Sequence, residues 1–221
     1  MTTPSQPDPL SRLSEALGNE YGQAREAQRG QVVADLREVI ERVPEQSEFT
    51  NSRRYKVIGP IFLVIALGMM AGGLAQGSTK LTILGGILAL VFALVTWQHR
   101  HSGQQTFMRL TRRELFVDTL SAPLALTDIV DVEVKDEGLL TLQKLIVRPD
   151  CTLPTHRAAR MLFGNQAVAL NKPVPHIRIL SAGVMCNGRK LSIEEIAETL
   201  HAYWQAACAQ RQLDALNEQA R

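Results

Sequence analysis

The sequence predicts an α+β protein: a two-helix transmembrane hairpin followed by a cytosolic, curved antiparallel sheet closed by a C-terminal helix. Three observations predict it. Between Glu48 and Glu114 there is no acidic residue, and two unbroken apolar runs, residues 57–75 and 81–97, lie inside that window. From Gln105 onward, short β-prone stretches alternate with Gly, Pro and Asn turn signals. After Leu191 the pattern changes to a helix start followed by an apolar stripe of helical period. The chain divides accordingly into an amphipathic helical extension (1–50), the hairpin (51–104) and the cytosolic domain (105–221).

Residues 1–9 are polar and lack the basic and apolar regions of a signal peptide, so the first apolar run is expected to act as its own insertion signal. Asp8 is placed to cap a helix whose first residue is Pro9. Leu10, Leu13, Leu17, Tyr21 and Ala24 then recur at helical spacing. Gly30 separates them from a second amphipathic stretch carrying Val32, Val33, Leu36, Val39, Ile40 and Val43, which Pro44 ends. Glu38 and Arg42 form a favourable i,i+4 pair on its polar face. Residues 1–50 hold nine acids against five Lys and Arg, so these helices are not expected to lie in a membrane interface, which favours cations. Two fates remain open: docking on the protein's own domain, or pairing with a partner or another copy.

Each apolar run approaches the ~20 residues that a helix needs to cross a hydrocarbon core of ~30 Å. Arg53, Arg54 and Lys56 precede the first run. His99, Arg100 and His101 follow the second, with Arg109, Arg112 and Arg113 beyond, whereas the connecting turn holds only Lys80. This asymmetry places both termini in the cytoplasm. Trp97, and Tyr55 on the other span, suit the membrane–water interface. Gly68 and Gly72 on the first span, and Gly85, Ala89 and Ala93 on the second, form small-residue stripes that let backbones approach closely in lipid. They either pack the hairpin on itself or leave one stripe for a second protomer. Pro60 is expected in the first helical turn, where a missing N–H costs little. No ionisable residue lies at membrane depth, which argues against a stand-alone transporter.

In the domain, strands are expected at 106–110, 114–119, 122–126, 130–135 and 141–147. Residues 149–175 are irregular, with a short helix expected within 155–169. Strands at 176–181 and 184–186 form a last hairpin, and Asn187-Gly188 makes a turn. Ser192-Ile193-Glu194-Glu195 is a capping box, with Leu191 and Ile196 at the staple positions. Ile196, Leu200, Tyr203 and Ala207 then define one helix face.

The phrase Leu110-Thr111-Arg112-Arg113-Glu114-Leu115-Phe116-Val117 resembles the opening hairpin of bacterial pleckstrin-homology-like domains. Leu124 to Val132, with Thr127-Asp128-Ile129 at its centre, is similar to the entry into the next strand. The closing run Gly188-Arg189-Lys190-Leu191-Ser192 before the final helix also matches. The resemblance spans residues 105–208 and implies a curved sheet with a terminal helix, often carried after transmembrane helices. Its motifs are structural and bring no catalytic set. In eukaryotic members the first hairpin turn binds acidic headgroups, so Arg112 and Arg113 are read either as lipid contacts or as topology determinants.

The chain offers little for catalysis or metal chemistry. Cys151, Cys186 and Cys208 are scattered, without ligand spacing, and read as reduced thiols. His156, His176 and His201 read as surface or helix-face residues, and Asp128 as a turn-former. No catalytic, cofactor-binding or metal residue is assigned, and no cofactor is expected. The domain's fourteen Lys and Arg against thirteen acids lack the basic excess of a nucleic-acid binder. The expected function is that of a non-enzymatic, multi-pass bacterial inner-membrane protein presenting a cytosolic domain for protein interaction. Two alternatives stay open: an immunity protein that protects its producer from a membrane-directed toxin, and an accessory subunit of a channel or transporter. The expected partners are the lipid bilayer, a protein (a cognate toxin in the immunity reading) and, for a leftover stripe, a second copy.

Overall fold

One continuous helix, α1 (Pro9–Glu41), stands where the sequence suggests two around Gly30. A helical Gly costs about 1 kcal/mol relative to Ala, and the flanking Ala, Gln, Arg and Glu are good helix formers, so Gly30 weakens the helix without breaking it. The computed structural model describes residues 9–52, 54–100, 103–138, 140–157 and 165–219, and the expected cap Asp8 lies outside them.

Strand β1 (Gln46–Asn51) follows and corrects the boundary expected at residue 105. It lies inside a sheet, pairing antiparallel with β2 (Thr106–Thr111) on one side and β9 (Val184–Cys186) on the other. Phe49 is 2% exposed in the core, and the Ser47 hydroxyl is 2.7 Å from that of Tyr203. The apolar helices α2 (Arg54–Ala75) and α3 (Thr79–Gln98) are therefore an insertion between two neighbouring strands. Both are long and apolar enough to cross a membrane.

The hairpin turns tightly because Gly77 takes φ +67°. Ser78 N–H then bonds Gly73 O at 2.9 Å and Gly77 N–H bonds Leu74 O at 3.2 Å, the paired bonds of a Schellman ending. Glycines let the helices touch. A Cβ on Gly85 would lie 2.5 Å from Met70 N, and one on Gly73 2.6 Å from Thr82 N. Ala66 and Ala89 are buried between the helices, and Phe62 stacks on Phe92 at 5.2 Å. The second-span stripe thus faces the first span at Gly85 and Ala89, while Ala93 is exposed. A methyl group added at Gly68 or Gly72 would meet nothing within 4 Å. Pro60 is the seventh residue of α2, not part of its first turn as expected, because the helix begins at Arg54.

The remaining strands are β3 (Glu114–Val117), β4 (Leu124–Ala125), β5 (Ile129–Asp136), β6 (Thr141–Val147), β7 (Gln166–Leu170), β8 (His176–Ser181) and β10 (Arg189–Lys190). They form two antiparallel sheets, ordered β10-β9-β1-β2-β3-β4 and β5-β6-β8-β7. Two expectations are corrected. Within 155–169, residues 166–169 belong to strand β7 rather than a helix, and 158–164 lie outside the described residues. β8 and β9 belong to different sheets, and β9 pairs instead with β10. Asn187 at φ 50° and Gly188 at φ 80° make that β9–β10 turn, both in the left-handed region their residue types favour.

Helix α4 (Ile193–Glu218) starts at the expected capping box: Glu195 N–H bonds Ser192 Oγ at 3.2 Å, and Ser192 N–H bonds Glu195 Oε2 at 2.8 Å. Its Ile196, Leu200, Tyr203 and Ala207 enter one core with Leu110, Leu115, Leu126, Leu145, Ile177 and Ile179. Trp204 donates Nε1–H to Ile129 O at 3.0 Å.

Candidate functional site

The register fixes two ends of the domain. β1 ends at Asn51 beside Val184, next to the hairpin, and begins at Gln46 beside Thr111. At ~3.3 Å per residue its far end lies about 17 Å from the hairpin root.

At the root, Ser52 N–H bonds Gly183 O at 3.1 Å. Gly183 takes φ +103°, and a Cβ there would stand 3.2 Å from the Ser52 Cβ, so glycine is required for this close approach. His99, the residue capping α3, is 1% exposed and Ser52 is 8% exposed. One residue of each link, Ser52 before the hairpin and His99 after it, is thus buried. Just past α3, Arg100 lies 5.0 Å over the Trp97 ring.

At the far end, an open groove of about 440 Å³ lies among Glu45, Thr111, Arg112, Arg113, Glu114, Phe116 and Gln210. The two arginines singled out in the sequence both have partners within the protein. Arg112 donates through Nε (3.2 Å) and Nη2 (2.9 Å) to Val43 O, clamping the link from α1 into β1. Arg113 pairs with Asp214 of α4 at 3.1 Å. Both sit just past Thr111, at the end of β2 remote from the hairpin. Arg109 stacks 4.4 Å over Phe116 beside them. The groove combines two carboxylates, two engaged guanidinium groups, an amide and an aromatic face.

Helix α1 runs antiparallel to α4: Arg29 donates to Leu216 O, while the chain after α1 meets α4 at Ser47 and Tyr203. The part of α1 before Arg29, about 30 Å long at 1.5 Å per residue, runs on past Leu216. Leu17 and Tyr21 on it are 46% and 78% exposed, whereas Ile40 and Val43 are buried. Of the two fates open for the extension, the part of α1 from Arg29 to Ile40 docks on the domain.

The other singled-out residues are dispersed. Asp128 does not form the expected turn bond but pairs with Arg148 at 2.8 Å, which crosses from the start of β5 to the end of β6. His176 is corrected from a surface residue to a buried one at 2% exposure, its Nδ1 2.7 Å from Val174 O. His156 is exposed in a bridge with Leu120, and His201 rests on Trp204 at 5.2 Å. All three cysteines are free thiols. Desolvation pushes each thiol up from its ordinary range, reinforced at Cys151 by the Asp128 carboxylate. Among the described residues no three His, Cys, Asp or Glu side chains are grouped to hold a metal ion. Neither β1 nor the groove was visible to sequence reasoning, since six mostly polar residues resemble a linker; only the alternation of Ser47 and Phe49 could have revealed the strand. Comparison with protein-family models, curated proteins and solved structures finds no match for this chain.

Proposed function

We propose that this is a non-enzymatic, membrane-anchored interaction protein of a bacterial inner membrane, with a pleckstrin-homology-like domain and both termini in the cytoplasm. The observation that carries this reading is the insertion of α2 and α3 between the paired strands β1 and β2. Two links, with Ser52 buried in one and His99 in the other, join the domain to the hairpin at two points instead of a single tether. Its far end then faces away from the bilayer, with the groove at Arg112 and the exposed turns of α1 displayed for a partner. The capped helix α4, packed on strands through Tyr203 and Trp204, supports the likeness to a pleckstrin-homology-like closing helix. Arg53, Arg54, Lys56 and Arg100 against Lys80 support the orientation.

Complementation of a deletion strain tests the reading, using variants matched for membrane abundance. His156→Ala, His201→Ala and Cys186→Ala should each restore function, because binding energy is spread over a surface. Tyr21→Glu on α1, or Phe116→Glu in the groove, should abolish it. Loss of function from any of the three Ala changes would point to catalysis and overturn the proposal.

A further inference from the structure

The outer face of the four-stranded sheet departs from the usual alternation. Antiparallel sheets with one packed face commonly show polar residues on the other. Here Gln143, Leu145 and Val147 of β6 and Ile177, Ile179 and Ser181 of β8 face the core. The opposite face carries Leu142, Ile146, Leu180 and Val168, all half-buried. Between these aliphatics the register lines up Glu133, Lys144 and Arg178 across three adjacent strands, with Val168 completing the row on the fourth. Lys144 reaches Glu133 at 3.5 Å, and Lys135 engages the same carboxylate at 3.1 Å. Arg178 is exposed and makes no ion pair among the described residues. Lys135 and Lys144 thus share the Glu133 carboxylate, Asp131 is the second acid on this face, and Arg178 is left over as the exposed cation among aliphatic side chains. At the Ile146 end of this face His176 is sealed at 2% exposure, so the open part is centred on Arg178.

We propose that this face docks an acidic, amphipathic helical segment of a partner protein. The cationic row would engage its carboxylates, and the flanking Leu142, Leu180 and Ile146 its apolar side. Four strands at ~4.8 Å spacing span about 14 Å between the outer two, the length of two to three helical turns. Arg178 is the anchor, because its planar guanidinium can hold a carboxylate through two parallel bonds and has no competing carboxylate among the described residues. An anionic bilayer is the less favoured occupant, since the strands run away from the hairpin root and this face stands alongside that direction. The inference rests on the reading of the domain as an interaction module and names one of its surfaces.

The test uses the full chain in nanodiscs of neutral lipid and two synthetic amphipathic 14-residue helices, one with Leu and Glu and the other with Leu and Lys. Fluorescence anisotropy should show binding of the acidic peptide only, weakened by salt. Arg178→Glu should reduce affinity about tenfold or more, and Arg178→Lys should restore part of it. Leu180→Asp should also weaken binding, whereas Phe116→Glu in the remote groove should not. Equal binding of both peptides, no binding, or indifference to Arg178→Glu would overturn the proposal. So would a switch of occupant, seen as Arg178-dependent binding to anionic vesicles or Arg178-dependent dimerisation. If the peptide fails here while Phe116→Glu still abolishes complementation, this surface is wrong and the broader interaction reading stands.

Discussion

Removing the hairpin while keeping β1 should leave a soluble, folded domain, whereas residues 105–221 alone should not fold. Joining Ser52 directly to Gly103 leaves Thr50 and Thr106 paired, connected by Asn51, Ser52, Gly103, Gln104 and Gln105. That length falls within the range of about two to five residues common in hairpins. The fragment 105–221 instead loses β1 from between β2 and β9. Phe49, 2% exposed, would take with it about 3–5 kcal/mol of core packing. β1 is in register with five residues of β2 and three of β9. At roughly one hydrogen bond per matched residue and about 1 kcal/mol each, pairing adds a similar or larger loss. Together they reach about 10 kcal/mol, comparable to the entire stability of an ordinary domain. Circular dichroism melts of the two purified chains provide the assay. The joined chain should unfold cooperatively, and the fragment should show no transition. A cooperative melt of the fragment within a few degrees of the joined chain would refute the reasoning, by showing that β1 is dispensable.

Further outcomes are expected. Gly85→Leu should disrupt the hairpin, because a Cβ at 2.5 Å from a backbone nitrogen cannot be relieved by side-chain movement, whereas Gly68→Leu, with open space around it, should be tolerated; detergent melts of the two variants decide this. Arg112→Ala should lower domain stability by about 1–3 kcal/mol through loss of both bonds to Val43 O, measured by urea titration of the joined chain. Ser192→Ala should cost about 0.5–2 kcal/mol as an N-cap loss, read from the same titration. The Glu195 carboxyl is held below its ordinary range by the Ser192 N–H and then by Arg189, so its stabilisation is present above the unfolded carboxylate pKa and is lost as pH falls through the lowered folded value; the Tm difference between wild type and Glu195→Gln should shrink on acidification. An alkaline phosphatase fusion at residue 221 should be inactive, and an active one would place the C-terminus outside the cytoplasm.

Long-period and short-range signals were legible in the sequence. The two apolar runs, the capping box at Ser192 and the strands at 141–147, 176–181 and 184–186 follow from periodicity and turn chemistry that act within a few residues. What the sequence concealed depends on distant partners. β1 is strand-like only because β2 and β9 flank it. Arg112 and Arg113 look like membrane flanks by number, yet the β2 strand carries them to the opposite end of the domain. Asp128 has the composition of a turn residue, but Arg148, brought close by β5–β6 pairing, captures its carboxylate. His176 and Gln143 are polar residues in sealed positions, which composition alone assigns to the surface. The candidate surfaces were the least legible part, because each is assembled from several elements.

The insertion of the hairpin also dictates an order of events during synthesis. Phe49 and Cys186, which face each other across β1 and β9, are separated by about 140 residues. At ~5–20 residues per second, β1 emerges roughly 7–30 s before its partner strand exists. In that interval α2, α3 and then β2 are made, so β1 can gain β2 on one edge while its other edge stays open until β9 exists. Sheet closure can only follow the synthesis of β9. A nascent chain whose hairpin fails to insert would keep an apolar segment next to an unfilled sheet, a species for chaperones and proteases to remove.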